Sequence, residues 1–362
     1  MKNPLFRIYA LLAIGLAAPG ANAEIFCVNN AIGFQNALID AASNTESDEI
    51  RMMLGQYDVP VAPISGFRFV SSQPGDLTIS GGWGPPAQFA GPICVSRKDN
   101  PTLTTLDGNF QVQGLVIQPG AVTGDILIEN LTVAQGRSGG GGGGIRVAPF
   151  DPTWQGNLSI QSVVFDRNAD VTGGAGLFAT VEVGDFRLVN SIFAANQSRG
   201  QIGAANIVAN GQNAVIANNT VVFNSANGDF STGLRFGGNA ATLLINNVFF
   251  ESDLQRDVTL IGDDLRLQNN FYNTRNSGDF VEETGTLSGD PGLGSGLFGV
   301  GPLPGSPLID SGLMVIDGLP FRDAQGGVRV LGPAIDRGAI EVQVFGDGVE
   351  GDDDWIVPTN AQ

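Results

Sequence analysis

The chain has 362 residues, 42% hydrophobic and only 15% charged, so it can bury a large core, and length alone would allow two or three domains. Eighteen basic against 36 acidic residues give a net charge of −18, a surface that repels phosphate backbones and excludes nucleic acid as a partner. Histidine is absent, which removes every mechanism that uses imidazole as acid, base or ligand, and 52 glycines imply a turn-rich architecture if they follow a repeat.

Residues 1–23 have the form of a secretory signal peptide. Lys2 and Arg7 supply the positive start, "YALLAIGLAA" the short apolar run, and "ANA" a small-residue cleavage site. The run is shorter than the ~20 residues a bilayer requires, so no transmembrane segment is expected after cleavage. The mature chain is expected to begin at Glu24, secreted or at the cell surface, where its acidity favours solubility. The two cysteines, Cys27 and Cys94, then sit in an oxidising compartment, which predicts one disulfide; two free thiols are the alternative.

Residues 24–103 are read as a cap and the first coils. In "AIGFQNALIDAASN" (31–44), Ile32, Phe34, Ala37, Leu38 and Ala41 recur at helical spacing, a short amphipathic helix suited to plugging an open sheet end. "EIRMMLGQYDV" follows as strand, turn and strand.

Residues 104–285 carry a repeat. "IENLTV", "IQSVVF", "LVNSIF", "IANNTV", "LINNVF" and "LQNNFY" start at 128, 160, 188, 216, 244 and 267, with steps of 32, 28, 28, 28 and 23. Their first and sixth positions are apolar throughout, and the residues between favour strands. One such coil cannot bury its own apolar face, but stacked coils about 4.8 Å apart can, which predicts an all-β parallel β-solenoid. The third position reads Asn130, Ser162, Asn190, Asn218, Asn246, Asn269. Asn tolerates a tight bend and can bond its counterpart in the next coil, so the five asparagines predict a structural amide ladder at one corner.

A second strand follows about 15 residues later in each coil, as "GIRV", "GLFA", "ANIV" and "GLRF". The glycine run in "GRSGGGGGGIRV" (136–147) therefore enters a strand. A phosphate loop would enter a helix with a lysine nearby, and a linker would interrupt the strand pattern, so a corner of close backbone approach is expected.

The paired glycines of "GGGGI" (141–145) and "GGAGL" (173–177), with "FDRN" (165–168) and "FAAN" (193–196), resemble repeats of bacterial polymorphic outer-membrane proteins. "TTLDGN" (104–109) and "ISGGWG" (79–84) are similar to the opening of secreted β-helix proteins. The resemblance implies a right-handed parallel β-helix of the pectin-lyase-like fold with a short N-terminal capping helix. Residues 286–345, through "GDPGLG", "GSPLIDSG" and "AIDRGAIE", resemble a C-terminal choice-of-anchor module, and 346–362 form an acidic tail expected to be disordered.

That fold also hosts polysaccharide lyases and hydrolases, so each chemistry has to stand on its own residues. Asp263 and Asp264 are adjacent and would point to opposite faces of a strand, which reads as a solvated turn. Arg146 and Arg235 hold equivalent outward positions three coils apart, ~14 Å, and are the candidate glycan-facing residues. No catalytic or metal-binding residue is assigned. No cofactor is expected, and Ca²⁺ enters only if the chain is a lyase. The sequence thus predicts a structural, adhesive or glycan-binding rod whose partner is polysaccharide or a cell-surface glycan; a polysaccharide-active lyase or hydrolase is the alternative.

Overall fold

The computed structural model describes residues 23–61, 66–84, 93–228, 231–251, 256–277, 281–296, 299–314 and 318–342. The expected leader, apart from Ala23, and the acidic tail lie outside them. The chain is an all-β parallel solenoid of about eight turns with one helix, among the described residues, near its start.

The coil beginning at Leu158 shows how the sequence makes a turn. Leu158–Asp166 starts on a long face, bends at Ser162 (φ 50°), and continues on a second face. A second bend at Arg167 (φ 50°) leads to the two-residue strand Ala169–Asp170. A glycine turn then delivers Leu177–Val181 to a third face. Alternation sends Leu158, Ile160, Val163, Phe165, Leu177, Ala179 and Val181 inward, each fully buried. Ile160 pairs with Ile128 on one side and Leu188 on the other, so each coil buries its apolar row between two neighbours. Leu188, Ile216 and Leu244 continue that row in register, and Phe165 stacks on Phe193 at 4.3 Å between ring centres.

Stacking yields a long face whose path holds ten strands, from Glu24–Val28 to Val281–Thr284. The third face is an eight-stranded sheet from Phe67–Ser71 to Arg275–Ser277. A small four-stranded sheet at the second corner contains Arg137–Ser138, Ala169–Asp170, Gln197–Ser198 and Ser225–Ala226.

The helix, Ala31–Ser43, is capped by Asn30, whose side-chain oxygen accepts from Gly33 N at 2.9 Å. It lays Phe34, Ala37, Leu38 and Ala41 against the first coils, with the Phe34 ring edge-on to Tyr57 and Phe67. Ile32 departs from the expected stripe and is 76% exposed, because the helix meets the core along a narrower strip than the periodicity predicts. The disulfide Cys27–Cys94 ties the edge strand to the segment 93–103.

The second face has a cover on its outside. Val164, Ile192, Ala194 and Val222 point away from the solenoid core yet are buried, packed by Val300, Ala324, Ala339 and Ile340 of the C-terminal segment. Val189, Ala217 and Ile245 are covered in the same way by Leu319. Residues 299–314 and 318–342 are thus an arm laid on the coils.

Candidate functional site

The asparagine column supplies the first bend. Asn130, Asn190, Asn218, Asn246 and Asn269 all have φ between 50° and 55°, the left-handed conformation that asparagine tolerates. Their amides mostly do not bond one another. Asn190 donates to Ser162 Oγ at 2.9 Å and Asn246 reaches Asn218 Oδ1 at 3.5 Å, but the shared pattern is a bond outward. Asn130 donates to Lys98 O, Asn190 to Arg322 O, Asn246 to Leu313 O and Asn269 to Ser311 O, each near 2.9 Å, and Asn218 to Asp336 O at 3.4 Å. A positive φ turns the side chain away from the core, so the column fastens the segment 93–103 and the C-terminal arm to the coils. The expected ladder is corrected to this role.

Continuous ladders run elsewhere. One residue further on, Asn219 donates to Asn247 Oδ1 and Asn247 to Asn270 Oδ1, both at 2.9 Å, while Ser191 N donates to Asn219 Oδ1. At the second corner Asn168, Asn196, Asn224 and Glu251 bond in series at 3.0, 2.9 and 2.8 Å. The asparagines of both ladders also donate to a backbone carbonyl, as Asn247 does to Ile216 O at 2.7 Å. The doublets "NN" at 218–219, 246–247 and 269–270 were the available signal: the first residue bends and the second bonds.

The glycine run is a corner. Gly142 N bonds Gly174 O, Gly114 N bonds Gly143 O and Gly144 N bonds Ala175 O, which ties the run to the coils on both sides. A Cβ on Gly143 would lie 2.2 Å from Ala169 O, so no other residue fits there.

Arg146 and Arg235 lie in one outward row of the third face. The register runs Arg146, Phe178, Asn206, Arg235, three steps as expected. Both arginines are engaged by their own row. The Arg146 guanidinium lies 4.9 Å over Phe178 and donates to Gly140 O, and Arg235 donates to Asn206 Oδ1 at 3.0 Å. Burial lowers the Arg235 pKa. Asp264 faces Arg266 at 3.5 Å across an exposed turn.

Two features were not anticipated. The first is a charged cluster inside the arm, where Arg329 is 1% exposed and donates to Asp336 O and Gly338 O. The buried carboxylates of Asp323, Asp336 and Glu341 accept backbone N–H bonds around it. Arg337 bridges the arm to the coils, donating to Ser311 O, Asn270 O and Gly285 O. Desolvation pushes Glu341 up to about 7 and Arg337 down to about 10. The motif "AIDRGAIE" is thereby a latch.

The second is a trough of about 190 Å³ on the outside of the small sheet, lined by Phe110, Arg137, Ser138, Ala169, Val171, Gln197 and Arg199 above a buried Asp170. No single column of the repeat contains its charged residues, so nothing in the periodicity marks it. No family model, curated protein or solved structure matches the chain.

Proposed function

We propose that the chain is a secreted or surface-exposed scaffold, a stiff rod that acts in surface structure, adhesion or glycan binding without turning its ligand over. The observation that carries this reading is the fate of its buried carboxylates. Asp170, Asp257 and Glu251 are held by backbone N–H groups of the coils, and Asp336 and Glu341 by backbone N–H groups within the arm, so these five acids close turns instead of facing a ligand. A disulfide between Cys27 and Cys94 suits an oxidising compartment. The arm corresponds to the region whose sequence resembles an anchoring module, and attachment of the rod through its C-terminal end, with the pectin-lyase-like right-handed helix as its body, forms part of the proposal.

The test is a screen of the mature protein against pectate, alginate and glycosaminoglycans, with and without Ca²⁺, beside a glycan array. Binding without release of unsaturated or reducing ends supports the scaffold. Turnover that disappears in Arg146→Ala or Asp264→Ala would establish the lyase or hydrolase instead.

A further inference from the structure

We infer that the trough on the small sheet binds a sugar-ring-sized oxyanion, a carboxylate or sulfate ester carried on a saccharide, between Arg137 and Arg199. This deepens the glycan-binding form of the proposed function and rests on it.

Parallel register fixes the geometry. Arg137, Ala169 and Gln197 form one outward column over three successive coils, so Arg137 and Gln197 stand about 10 Å apart with a methyl group between them. That methyl is the floor of the depression. Val171 and Arg199 follow directly after these two-residue strands, are exposed, and line the same depression. Phe110 closes one end from the preceding corner, 46% exposed and held by a backbone φ of 55°. The volume, about 190 Å³, is below the ~300 Å³ of a drug-sized pocket and suits a single ring.

Charge selects an anion. Arg51, Arg97, Arg167, Arg266 and Arg275 each meet a carboxylate, whereas the exposed guanidiniums of Arg137 and Arg199 have no side-chain partner among the described residues. The acid beneath them forms no ion pair with either: Asp170 is 3% exposed, and its oxygens accept from Gly141 N, Thr172 N and Gly173 N. Two unpaired guanidinium forks on a chain of net charge −18 match a planar or tetrahedral oxyanion. The Gln197 amide can bond ring hydroxyls, and Phe110 and Val171 offer apolar contact to the C–H face. A peptide strand is disfavoured, because Ala169 pairs with strands on both sides and the edge residue Arg137 already donates its N–H to Val112 O.

The experiment titrates the mature protein with four probes: a glucuronate-containing oligosaccharide, a glucose-6-sulfate-containing one, their neutral counterpart and a poly-glutamate peptide. At least one anionic saccharide binds and the neutral one does not; which of the two is tighter identifies the oxyanion. Arg137→Ala and Arg199→Ala each weaken binding about tenfold or more, and rising salt weakens it too. Lys98→Ala, which removes an exposed cation on the segment 93–103, leaves it unchanged. Both trough positions are exposed, and unchanged thermal melts confirm folding. Anionic saccharide binding that survives in the double variant overturns the trough and leaves the scaffold reading intact. The same holds if the wild-type protein binds neutral glycans only. Equal or tighter poly-glutamate binding with the same arginine dependence overturns the saccharide assignment, and absence of any glycan binding overturns both the trough and its glycan-binding premise.

Discussion

At the residue scale the doublet Asn246–Asn247 divides two tasks that one amide cannot perform. Asn246 adopts φ 55° and points to the arm, bonding both Leu313 N and Leu313 O. Asn247 points into the stack and takes four bonds, accepting from Asn219 N and Nδ2 and donating to Ile216 O and Asn270 Oδ1. Asn247→Ala leaves several buried groups unpaired and is expected to cost roughly 3 kcal/mol in urea denaturation. Asn246→Gly keeps the bend and loses the two bonds to the arm and the long contact to Asn218, so about 1 kcal/mol is expected. Equal losses at the two positions would mean that bend and ladder are not separable. The bend was legible because asparagine fills the third column. The ladder was misplaced by one residue because a column of identical side chains does not say which way a left-handed residue points.

At the scale of elements, the arm and the disulfide are the parts that can be loosened separately. Burial raises Glu341 to about 7 and also raises Asp336, so the docked arm holds these protons more tightly than an undocked one. A raised carboxyl contributes stability that is full below its ordinary value of 4.5 and lost as pH rises through about 7. Limited proteolysis within 299–342 is therefore expected to be faster at pH 8 than at pH 5, and Glu341→Gln to flatten that difference. A pH profile identical in the variant would place the sensitivity elsewhere. Cys27 and Cys94 are 67 residues apart, a loop whose closure is worth roughly 4 kcal/mol in the unfolded chain. Reduction is expected to lower the melting temperature and to expose amides of 24–58 to hydrogen exchange before those of the central coils. The cysteine pairing was readable from compartment and count. The arm was read as a separate module, 286–345, because bonds such as Asn190 to Arg322, 132 residues apart, leave no local pattern.

At the scale of the molecule, the 28-residue step and two apolar columns made the solenoid legible, since stacking is the only way such coils bury their inner rows. The trough stayed hidden because Arg137 aligns with Gln197, with Arg199 beside them, only once two-residue strands set the register. The outer cover stayed hidden for a related reason. Strands buried on both faces read as continuous apolar runs, and "SIFA" or "TVVF" does not tell whether the second side meets protein or solvent. Here it meets the arm, and this has a consequence for association. A chain ending at Asp290 would keep every long-face strand but uncover Val164, Ile192, Ala194 and Val222 in one strip and Val189, Ala217 and Ile245 in a second across the asparagine bend. Patches of that kind exceed what soluble monomers expose and drive pairing. The shortened chain is expected to retain its β circular dichroism while sedimenting as dimers or larger species at micromolar concentration, and Ile192→Ser with Val222→Ser to restore the monomer. A shortened chain that sediments as a monomer without those changes would show that the coils tolerate their outer strip in water, and that the arm's packing contributes little to keeping the molecules apart.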